Sequence, residues 1–234
     1  MKTIAAILAG GSGKRVGNTR PKQFLEIAGR TVVERSVDAF EANPHVDEVV
    51  VVMHPDHIDE MRRIADRNHW KKLTRIVAGG KERHLSSVAA LACCDDCDDD
   101  DRLIIHDAAR PLVSQRVIDA VAEALDSHPA VGVGVPATDT IWAATDGRIA
   151  SVPDRSTLWC AQTPQAFRLG VARKAYSAAL NDPDLRPTDD CGVVLQYLPE
   201  VPVHIVAGDP ANIKITYAED VRKAETLLPT PQNK

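Results

Sequence analysis

Short apolar runs rich in β-branched residues alternate along the chain with longer segments whose apolar residues recur at helical spacing. The run at 4–9 is continuous and lacks alternation, which is typical of a parallel strand buried on both faces. Further runs that predict strands lie at 48–53, 74–77, 103–106, 131–135 and 203–206. Strands separated by helices favour an α/β fold, in which helices flank a mostly parallel sheet.

The clearest helix is predicted to follow Ser114, which we expect to cap its N-terminus. Apolar residues recur there at helical spacing and indicate one buried stripe, formed by Val117, Ile118, Val121 and Leu125. We therefore assign this stripe to the core and not to a site.

The segment 136–167 interrupts the alternation. It contains two extended stretches around Thr145-Asp146-Gly147, a sequence typical of a hairpin turn. Trp142 and Trp159 flank that turn. We expect an arm that protrudes from the sheet, with its tryptophans packed either against a second subunit or back onto the parent domain.

Length and charge limit the possible classes of function. The 234 residues predict a single domain, 1–234, with no clear linker. A net charge of -5 argues against general nucleic-acid binding, so a local basic cluster would have a small anionic ligand. The apolar run at the N-terminus is far too short to span a bilayer, and no signal peptide or membrane association is expected.

Five cysteines lack the even spread of a secreted disulfide scaffold and favour the reducing cytoplasm. Three of them lie at 93–97, but Cys94-x-x-Cys97 has no second well-spaced pair to complete a zinc site. A redox pair would open a helix, whereas this pair leads into four aspartates. We interpret the segment as a solvated acidic loop.

The glycine-rich turn after the first strand is the strongest candidate for a ligand site. Gly10, Gly11 and Gly13 allow the backbone to approach a ligand closely. Four cations follow, at Lys14, Arg15, Arg20 and Lys22. Free backbone N–H groups together with these cations predict a cradle for a polyphosphate, and the alternative is a tight turn with solvated charges.

Two familiar phosphate motifs do not fit this turn. A Walker A motif requires glycine at the position of Leu8 and Ser or Thr at the position of Arg15. The dinucleotide fingerprint requires glycine at Val16, and Gly17 comes one residue late. The turn is therefore neither a P-loop nor a dinucleotide site.

Other candidates follow the ends of later strands, where open α/β sheets bind ligands. The turn at 78–83 again combines glycines with cations, and Ser86 follows on the next helix. Asp107 ends a buried strand and suits a magnesium ion bound to phosphates, although a cap is the alternative. His106 is more simply structural. Lys214, between two isoleucines, either lines the pocket or is solvated.

Several motifs occur together and in a characteristic order along nearly the whole chain. They are Leu8-Ala9-Gly10-Gly11-x-Gly13-x-Arg15, Pro21-Lys22-Gln23-Phe24, Gly79-Gly80-x-x-Arg83, His106-Asp107-Ala108-Ala109-Arg110-Pro111, Asp139-Thr140, Gln162-Thr163-Pro164-Gln165 and Asn212-Ile213-Lys214. In these motifs the chain resembles the IspD/TarI cytidylyltransferases, which join CMP to a small polyol phosphate. The resemblance implies a Rossmann-like nucleotidyltransferase fold, a homodimer joined through the arm, and CTP with Mg²⁺ or another divalent cation.

The resemblance also implies roles for individual residues. Catalytic roles fall to Arg15, Lys22, Arg155 and Lys214. Contacts with CTP are implied for Leu8, Ala9, Gly10, Gly11, Gly13, Gly79, Gly80, Arg83, Ser86, Asp107 and Ala108, with Asp107 also near the metal. Contacts with the acceptor are implied for Asp107, Thr140, Arg155, Thr163, Thr188 and Lys214. Thr140 and Arg155 are expected to come from the arm of the neighbouring subunit.

The two branches of this family differ in their acceptor, 2-C-methyl-D-erythritol 4-phosphate or D-ribitol 5-phosphate. Leu8-Ala9-Gly10-Gly11, Val152-Pro153-x-Arg155 and Thr188-Asp189-Asp190-Cys191 are similar to the ribitol branch, whereas Ala108-Ala109 and Asp154-Arg155-Ser156 are similar to the erythritol branch. We expect D-ribitol 5-phosphate, with the erythritol phosphate as the alternative. A non-catalytic nucleotide-binding protein of the same fold is the remaining hypothesis.

Overall fold

A seven-stranded sheet forms the centre of the computed structural model, which describes residues 1–11 and 20–228. Its strands, in chain order, are β1 (Thr3–Ala9), β4 (Glu48–Met53), β5 (Leu73–Ala78), β6 (Arg102–Asp107), β7 (Ala130–Pro136), β10 (Trp159–Arg168) and β11 (Val203–Ala207). The spatial order is β11-β7-β10-β6-β1-β4-β5. Only β10 is antiparallel to its neighbours among the described strands of this sheet. The prediction of a mostly parallel α/β fold is confirmed.

Two short hairpins lie outside the central sheet, formed by β2 (Glu26–Ile27) with β3 (Arg30–Thr31) and by β8 (Ala143–Thr145) with β9 (Arg148–Ser151). The helices are α1 (Val32–Glu41), α2 (Ile58–Asn68), α3 (Arg83–Ala92), α4 (Gln115–Ser127), α5 (Leu169–Ala179), α6 (Asp190–Tyr197) and α7 (Ala218–Leu227). No described helix is long and apolar enough to cross a membrane.

Strand β1 is buried along its whole length because both faces of the sheet are covered by helices. Its residues Ala5 and Ile7 pack into a core with α1, α2 and α4, and Ala6 and Leu8 pack into a core with α3, α5 and α6. This division follows from the alternation of side chains along a strand. The sheet is thus the middle layer of three, and its strand ends remain accessible at the edge of the layer.

Helix α4 begins where the sequence predicts it, and its apolar stripe is fully buried. The proposed capping bond is wrong, however. Ser114 occupies the N-cap position, but its side chain accepts no hydrogen bond from the helix, and its buried Oγ has no partner among the described residues. At this helix start only the Ser114 backbone carbonyl bonds to the first turn, accepting from Val117 N at 3.1 Å and from Ile118 N at 3.2 Å among the described residues.

The segment around Cys94 differs from the predicted solvated loop. The Cys94 side chain is buried in the core under α3 and α5, and burial raises its pKa to about 12. Asp101 is also buried and accepts a hydrogen bond from the Lys2 backbone N–H at 2.6 Å. Only the aspartates at 95, 96 and 98–100 are exposed, so the segment is partly core.

The last part of the predicted arm belongs to the central sheet. Gln162–Phe167 is the buried half of β10 and lies between β6 and β7. The sequence obscured this strand because Gln162 and Gln165 are polar. Both are satisfied inside the protein: Gln162 donates to Asp209 O at 2.9 Å, and Gln165 donates to Asp189 at 2.8 Å.

The hairpin of β8 and β9 leaves the sheet as the sequence predicts. Its turn has positive φ at both Asp146 (50°) and Gly147 (73°), which is the geometry of a type I′ turn. Trp142 is 61% exposed and Trp159 is 42% exposed. The tryptophans therefore do not fold back into the core of their own chain.

Candidate active site

A cleft of about 270 Å³ opens at the carboxyl ends of β1, β5 and β6. These ends meet at one edge of the sheet because the three strands run parallel. The cleft is lined by Leu8, Ala9, Gly10, Gly11, Lys22, Gln23, Gly80, Lys81, Glu82, Arg83, Ser86, Asp107, Ala108, Ala109 and Lys214. The topology thus brings together residues that the sequence could only associate through motifs.

Two glycine-rich turns approach each other on either side of Ser86. A Cβ atom added at Gly10 would lie 2.9 Å from Ser86 Oγ, and one added at Gly79 would lie 2.7 Å from the same atom. A larger residue at either position would therefore force the Ser86 hydroxyl to move, and at Gly79 it would also crowd Val52 Cγ1 at 3.2 Å. Gly79 N–H donates to Met53 O at 2.8 Å, which ties the second turn to the sheet.

The floor of the cleft carries a cluster of paired charges centred on Asp107. Lys214 Nζ donates to Asp107 Oδ2 at 2.7 Å, and Arg83 Nε donates to Asp107 Oδ1 at 3.0 Å. Arg83 also pairs with Asp190 at 2.7 Å. Burial alone would raise the pKa of Asp107, but Arg83 and Lys214 outweigh it and hold that pKa well below its usual value. Asp107 is therefore an anion at neutral pH.

Lys214 lies in an irregular segment, not in a strand. Hydrogen bonds fix this segment against the loop after β6: Ile215 N donates to Ala109 O at 2.7 Å, and Arg110 donates to Asn212 O at 2.8 Å. The side chain of Ile215 packs in a small core with α7. Lys214 extends to Asp107 instead, so of the two predicted alternatives the structure favours the pocket.

Lys22 enters the cleft from the other side. It begins a short 3₁₀ helix, Lys22–Phe24, and Phe24 is buried in the core below it. Lys22 Nζ donates to Ile215 O at 3.2 Å. Lys22 and the C-terminal segment that carries Lys214 therefore meet at the same cleft.

His106 has a structural position behind Asp107. It is fully buried, its Nε2 lies 3.0 Å from Arg110 O, and its Nδ1 lies 3.0 Å from Thr163 Oγ1. Because a carbonyl oxygen only accepts, the proton of neutral His106 is on Nε2, and Nδ1 accepts from Thr163. Burial lowers the pKa of His106 to about 4. The imidazole is neutral and fully hydrogen-bonded, as expected for a structural residue.

Thr163 lies beside this pair and does not line the cleft. Its hydroxyl accepts a hydrogen bond from the Asp107 backbone N–H at 3.1 Å and is bonded to His106 on its other side. The residue is buried. In this chain Thr163 supports Asp107 from behind.

The remaining predicted residues lie away from the cleft or outside the described part of the chain. Arg15 and Gly13 fall within residues 12–19, which are not described. Thr140 and Arg155 are exposed on the arm, where Arg155 donates to Thr138 O at 2.9 Å. Thr188 is exposed just before α6.

Asp190 is the principal residue that the sequence analysis missed. It directly follows Asp189, the N-cap of α6, and so it has the local pattern of an ordinary acidic helix start. Its partner Arg83 lies 107 residues away. A fully buried charge is the signal that identifies it, and only the folded structure reveals that burial.

Comparison with known families identifies the fold and its class of chemistry. The family model described as "IspD: 2-C-methyl-D-erythritol 4-phosphate cytidylyltransferase" matches residues 3–230. The chain belongs to the IspD family. It is accordingly a nucleotidyltransferase of the cytidylyltransferase class, and the resemblance seen in the sequence is confirmed.

Individual relatives agree with this assignment. A 2-C-methyl-D-erythritol 4-phosphate cytidylyltransferase of Thermobifida fusca is 53% identical over 234 residues, covering 98% of this chain and 94% of that protein. The bifunctional ribulose 5-phosphate reductase/CDP-ribitol pyrophosphorylase of Haemophilus influenzae is 39% identical over 97% of this chain and 48% of its own length.

A solved structure extends the comparison to three dimensions. The 4-diphosphocytidyl-2C-methyl-D-erythritol synthase of Anaerococcus prevotii superposes with a TM-score of 0.84 at 28% identity, covering 96% of this chain and 95% of that one. The central sheet and its flanking helices are therefore those of the IspD fold.

The donor set of the cleft suits magnesium held mainly by a substrate. No three or more His, Cys, Asp or Glu side chains gather as a metal cage within residues 1–11 and 20–228. Mg²⁺ requires no such cage, since one or two carboxylates together with phosphate oxygens and waters suffice. Asp107 is an ionised carboxylate at the floor of the cleft, and its Oδ2 could take that role once Lys214 leaves it for a phosphate.

Proposed function

We propose that this IspD-family enzyme transfers CMP from CTP to 2-C-methyl-D-erythritol 4-phosphate and releases pyrophosphate. The observation that carries the proposal is the match to the IspD family over residues 3–230. The cleft supports it independently, because glycine-rich turns for phosphates and the cations Lys22, Arg83 and Lys214 line one small cavity. A triphosphate and a phosphate monoester together require such positive charge.

This acceptor replaces the D-ribitol 5-phosphate that the sequence favoured. The family description and the Thermobifida fusca relative both name the erythritol phosphate, so the ribitol preference is not supported. One reason lies in Leu8, whose side chain is buried in the core. Its identity reflects packing inside the sheet, and it is a poor indicator of the acceptor. Because the Haemophilus influenzae relative is named as a CDP-ribitol pyrophosphorylase, D-ribitol 5-phosphate is the alternative acceptor to test.

The proposed reaction begins when a phosphate oxygen of the acceptor attacks the α-phosphorus of CTP. The new P–O bond forms as the bond to pyrophosphate breaks. A phosphate monoester has its second pKa near ~6 and is already a dianion at neutral pH, so no general base is needed. His106 fits this scheme, because its two ring nitrogens are engaged inside the protein and it has no proton to exchange with substrate.

The catalytic problem is instead the accumulation of negative charge in one place. We assign Lys22 and Lys214 to its stabilisation, together with Arg15 from the part of the chain that is not described. Fixed cations lower such a barrier because they are already oriented before the charge develops. Asp107 would hold a magnesium ion, which would supply further charge neutralisation to the phosphates.

We also assign the arm to the active site of a second subunit. Nearly all residues at 138–161 are exposed, including the apolar side chains Ile141, Trp142, Ile149 and Val152. Apolar patches of this kind mark contact surfaces. In a homodimer the arm would bring Thr140 and Arg155 to the partner's cleft, where they would bind the acceptor phosphate.

The direct test is release of pyrophosphate by the purified protein with Mg²⁺ and CTP. Each acceptor is supplied separately, and reactions without an acceptor serve as blanks. We expect one pyrophosphate per acceptor consumed with 2-C-methyl-D-erythritol 4-phosphate, and much slower release with D-ribitol 5-phosphate. Faster turnover with the ribitol phosphate would reverse the acceptor assignment, and no turnover with either would refute the proposed function.

A further inference from the structure

A buried carboxylate on α6 reaches the cleft through Arg83. Asp190 Oδ2 accepts from Arg83 Nη1 at 2.7 Å, and its Oδ1 accepts from the Tyr176 hydroxyl at 2.5 Å. Asp190 is completely inaccessible to solvent and does not line the cleft. A charge is costly to bury, so its position calls for an explanation beyond helix capping.

The position of Asp190 is fixed by its surroundings. Gln165 Oε1 accepts from the backbone N–H groups of Asp190 at 2.9 Å and of Cys191 at 3.0 Å. The neighbouring Asp189 caps α6 by accepting from Gly192 N at 2.8 Å. Capping is thus already supplied by Asp189, and the Asp190 side chain remains available for Arg83 and Tyr176 alone.

Arg83 contacts Asp107 through one nitrogen only. Its Nε donates to Asp107 Oδ1, while Lys214 occupies Oδ2. The Nη2 atom of Arg83, on the same edge of the guanidinium as Nε, is buried without a hydrogen-bond partner in the described part of the chain. That edge matches a carboxylate with two parallel bonds. A small turn of Arg83 would therefore place Nη2 on Asp107 Oδ2 and displace Lys214.

We propose that Asp190 is a positioning residue that holds Arg83 in its one-bond contact and so keeps the second oxygen of Asp107 for Lys214. This inference rests on the proposed function, in which Lys214 stabilises the transferring phosphates. The four side chains carry two positive and two negative charges, so the cluster is balanced before any ligand arrives. Lys214 then remains at the cleft surface. From there its ammonium group can exchange its hydrogen bond to Asp107 for one to a substrate phosphate.

The test is a double-mutant cycle between Asp190→Asn and Arg83→Gln. Asp190→Asn keeps the size and an acceptor oxygen but removes the charge, and we expect kcat to fall about tenfold. In the Arg83→Gln background the same change has no further effect if Asp190 acts only through Arg83. Asp182→Asn is the matched control, because Asp182 accepts from the Tyr197 hydroxyl as Asp190 does from Tyr176, but it does not contact Arg83 or Gln165. Its effect on kcat should be small and additive.

A crystal structure of Asp190→Asn shows the position of the Arg83 guanidinium directly, and this observation does not depend on activity. We expect Arg83 Nη2 within hydrogen-bond distance of Asp107 Oδ2 and Lys214 withdrawn from that oxygen. An unmoved Arg83 with wild-type kcat would overturn the inference. Should Asp190→Asn fail to fold, Asp190→Glu keeps the buried charge but shifts it by one methylene. A fall in kcat is then expected, and an unchanged kcat refutes the positioning role.

The two proposals fail separately. A wild-type protein that releases no pyrophosphate refutes the proposed function, while the position of Arg83 in the Asp190→Asn structure still decides the inference. A wild type that is active, combined with additive effects of Asp190→Asn and Arg83→Gln on kcat, refutes only the inference.

Discussion

The cleft and the arm differ in how their side chains are satisfied: those of the cleft are paired within the chain, and those of the arm are exposed. In the cleft, Asp107 is held by two cations and by Thr163, so its position is determined by its own chain. The arm exposes tryptophan and isoleucine side chains, and the one described hydrogen bond of the Arg155 side chain is to the arm itself. The described charges of the cleft are thus paired within one chain, whereas the exposed apolar side chains of the arm offer a contact surface for a second subunit in the proposed homodimer.

This difference separates binding from turnover. A preorganised cleft can bind a nucleotide with little rearrangement of its backbone, because its charged side chains are already oriented before the nucleotide arrives. In the proposed homodimer, the arm would contribute its acceptor-binding residues only when it is inserted into another subunit. We therefore expect changes in the arm to abolish the reaction while leaving nucleotide binding intact.

Replacement of the arm is the strongest way to separate the two regions. Ala137 N–H donates to Leu158 O at 2.9 Å, so residues 138–157 can be replaced by Asn-Gly as a two-residue hairpin turn. We expect a monomer in sedimentation, no measurable pyrophosphate release, and a Kd for CTP within about threefold of wild type in calorimetry. Loss of CTP binding would show that the cleft is not complete within one chain.

Lys22→Ala tests the cleft with the arm intact. Removal of one preorganised charge is expected to lower kcat by about 10² or more, without loss of the dimer. Lys81→Ala is the matched control, because Lys81 lines the same cleft but has no assigned role. Steady-state kinetics on both variants should show a large loss for the first and a small one for the second. Equal effects would remove Lys22 from the catalytic set.

The smallest expected effect is on the pH dependence of stability, and it comes from His106, which is buried behind the cleft. His106 has a pKa of about 4 when folded, while an unfolded histidine titrates near about 6.5, so the unfolded chain binds the extra proton between these values. Stability therefore falls as the pH falls through this window, by about 2 kcal/mol between pH 7 and pH 5. Urea unfolding of metal-free protein measures it. His106→Gln should have a flatter dependence, and an equally steep one would contradict the assignment.

The central strands of the fold could be predicted from the sequence because they obey a local rule. Strands β1, β4 and β6 are buried on both faces, so β1 and β4 are almost wholly apolar and β6 is built around the apolar run Leu103-Ile104-Ile105. The buried half of β10 escaped that rule, since Gln162 and Gln165 satisfy their amides with partners distant in the chain. Polar residues in a buried strand can be recognised only when those partners are known.

The site was predictable to the extent that its residues occur in motifs. Lys22, Arg83 and Asp107 could be assigned from their motifs, and all three line the cleft. Position alone left Lys214 ambiguous, because a lysine between two isoleucines is compatible with solvent or with a pocket, and only the Asn212-Ile213-Lys214 motif assigned it to the site. Its ion pair with Asp107 distinguishes these possibilities. Asp190 was missed because its local context explains it as a helix start, and its charge partner is remote in sequence.

The most direct test of a shared site is complementation between two inactive chains. Lys22→Ala removes a catalytic charge from the cleft and leaves the arm intact. Arg155→Ala removes an acceptor-binding side chain from the arm and leaves the cleft intact. The two chains are co-expressed with different tags, and the mixed dimer is purified and assayed for pyrophosphate release. Each mixed dimer would contain one intact site, so we predict about half the wild-type activity per dimer. Mixed dimers as inactive as either parent would contradict the account, because each site would then belong to a single chain.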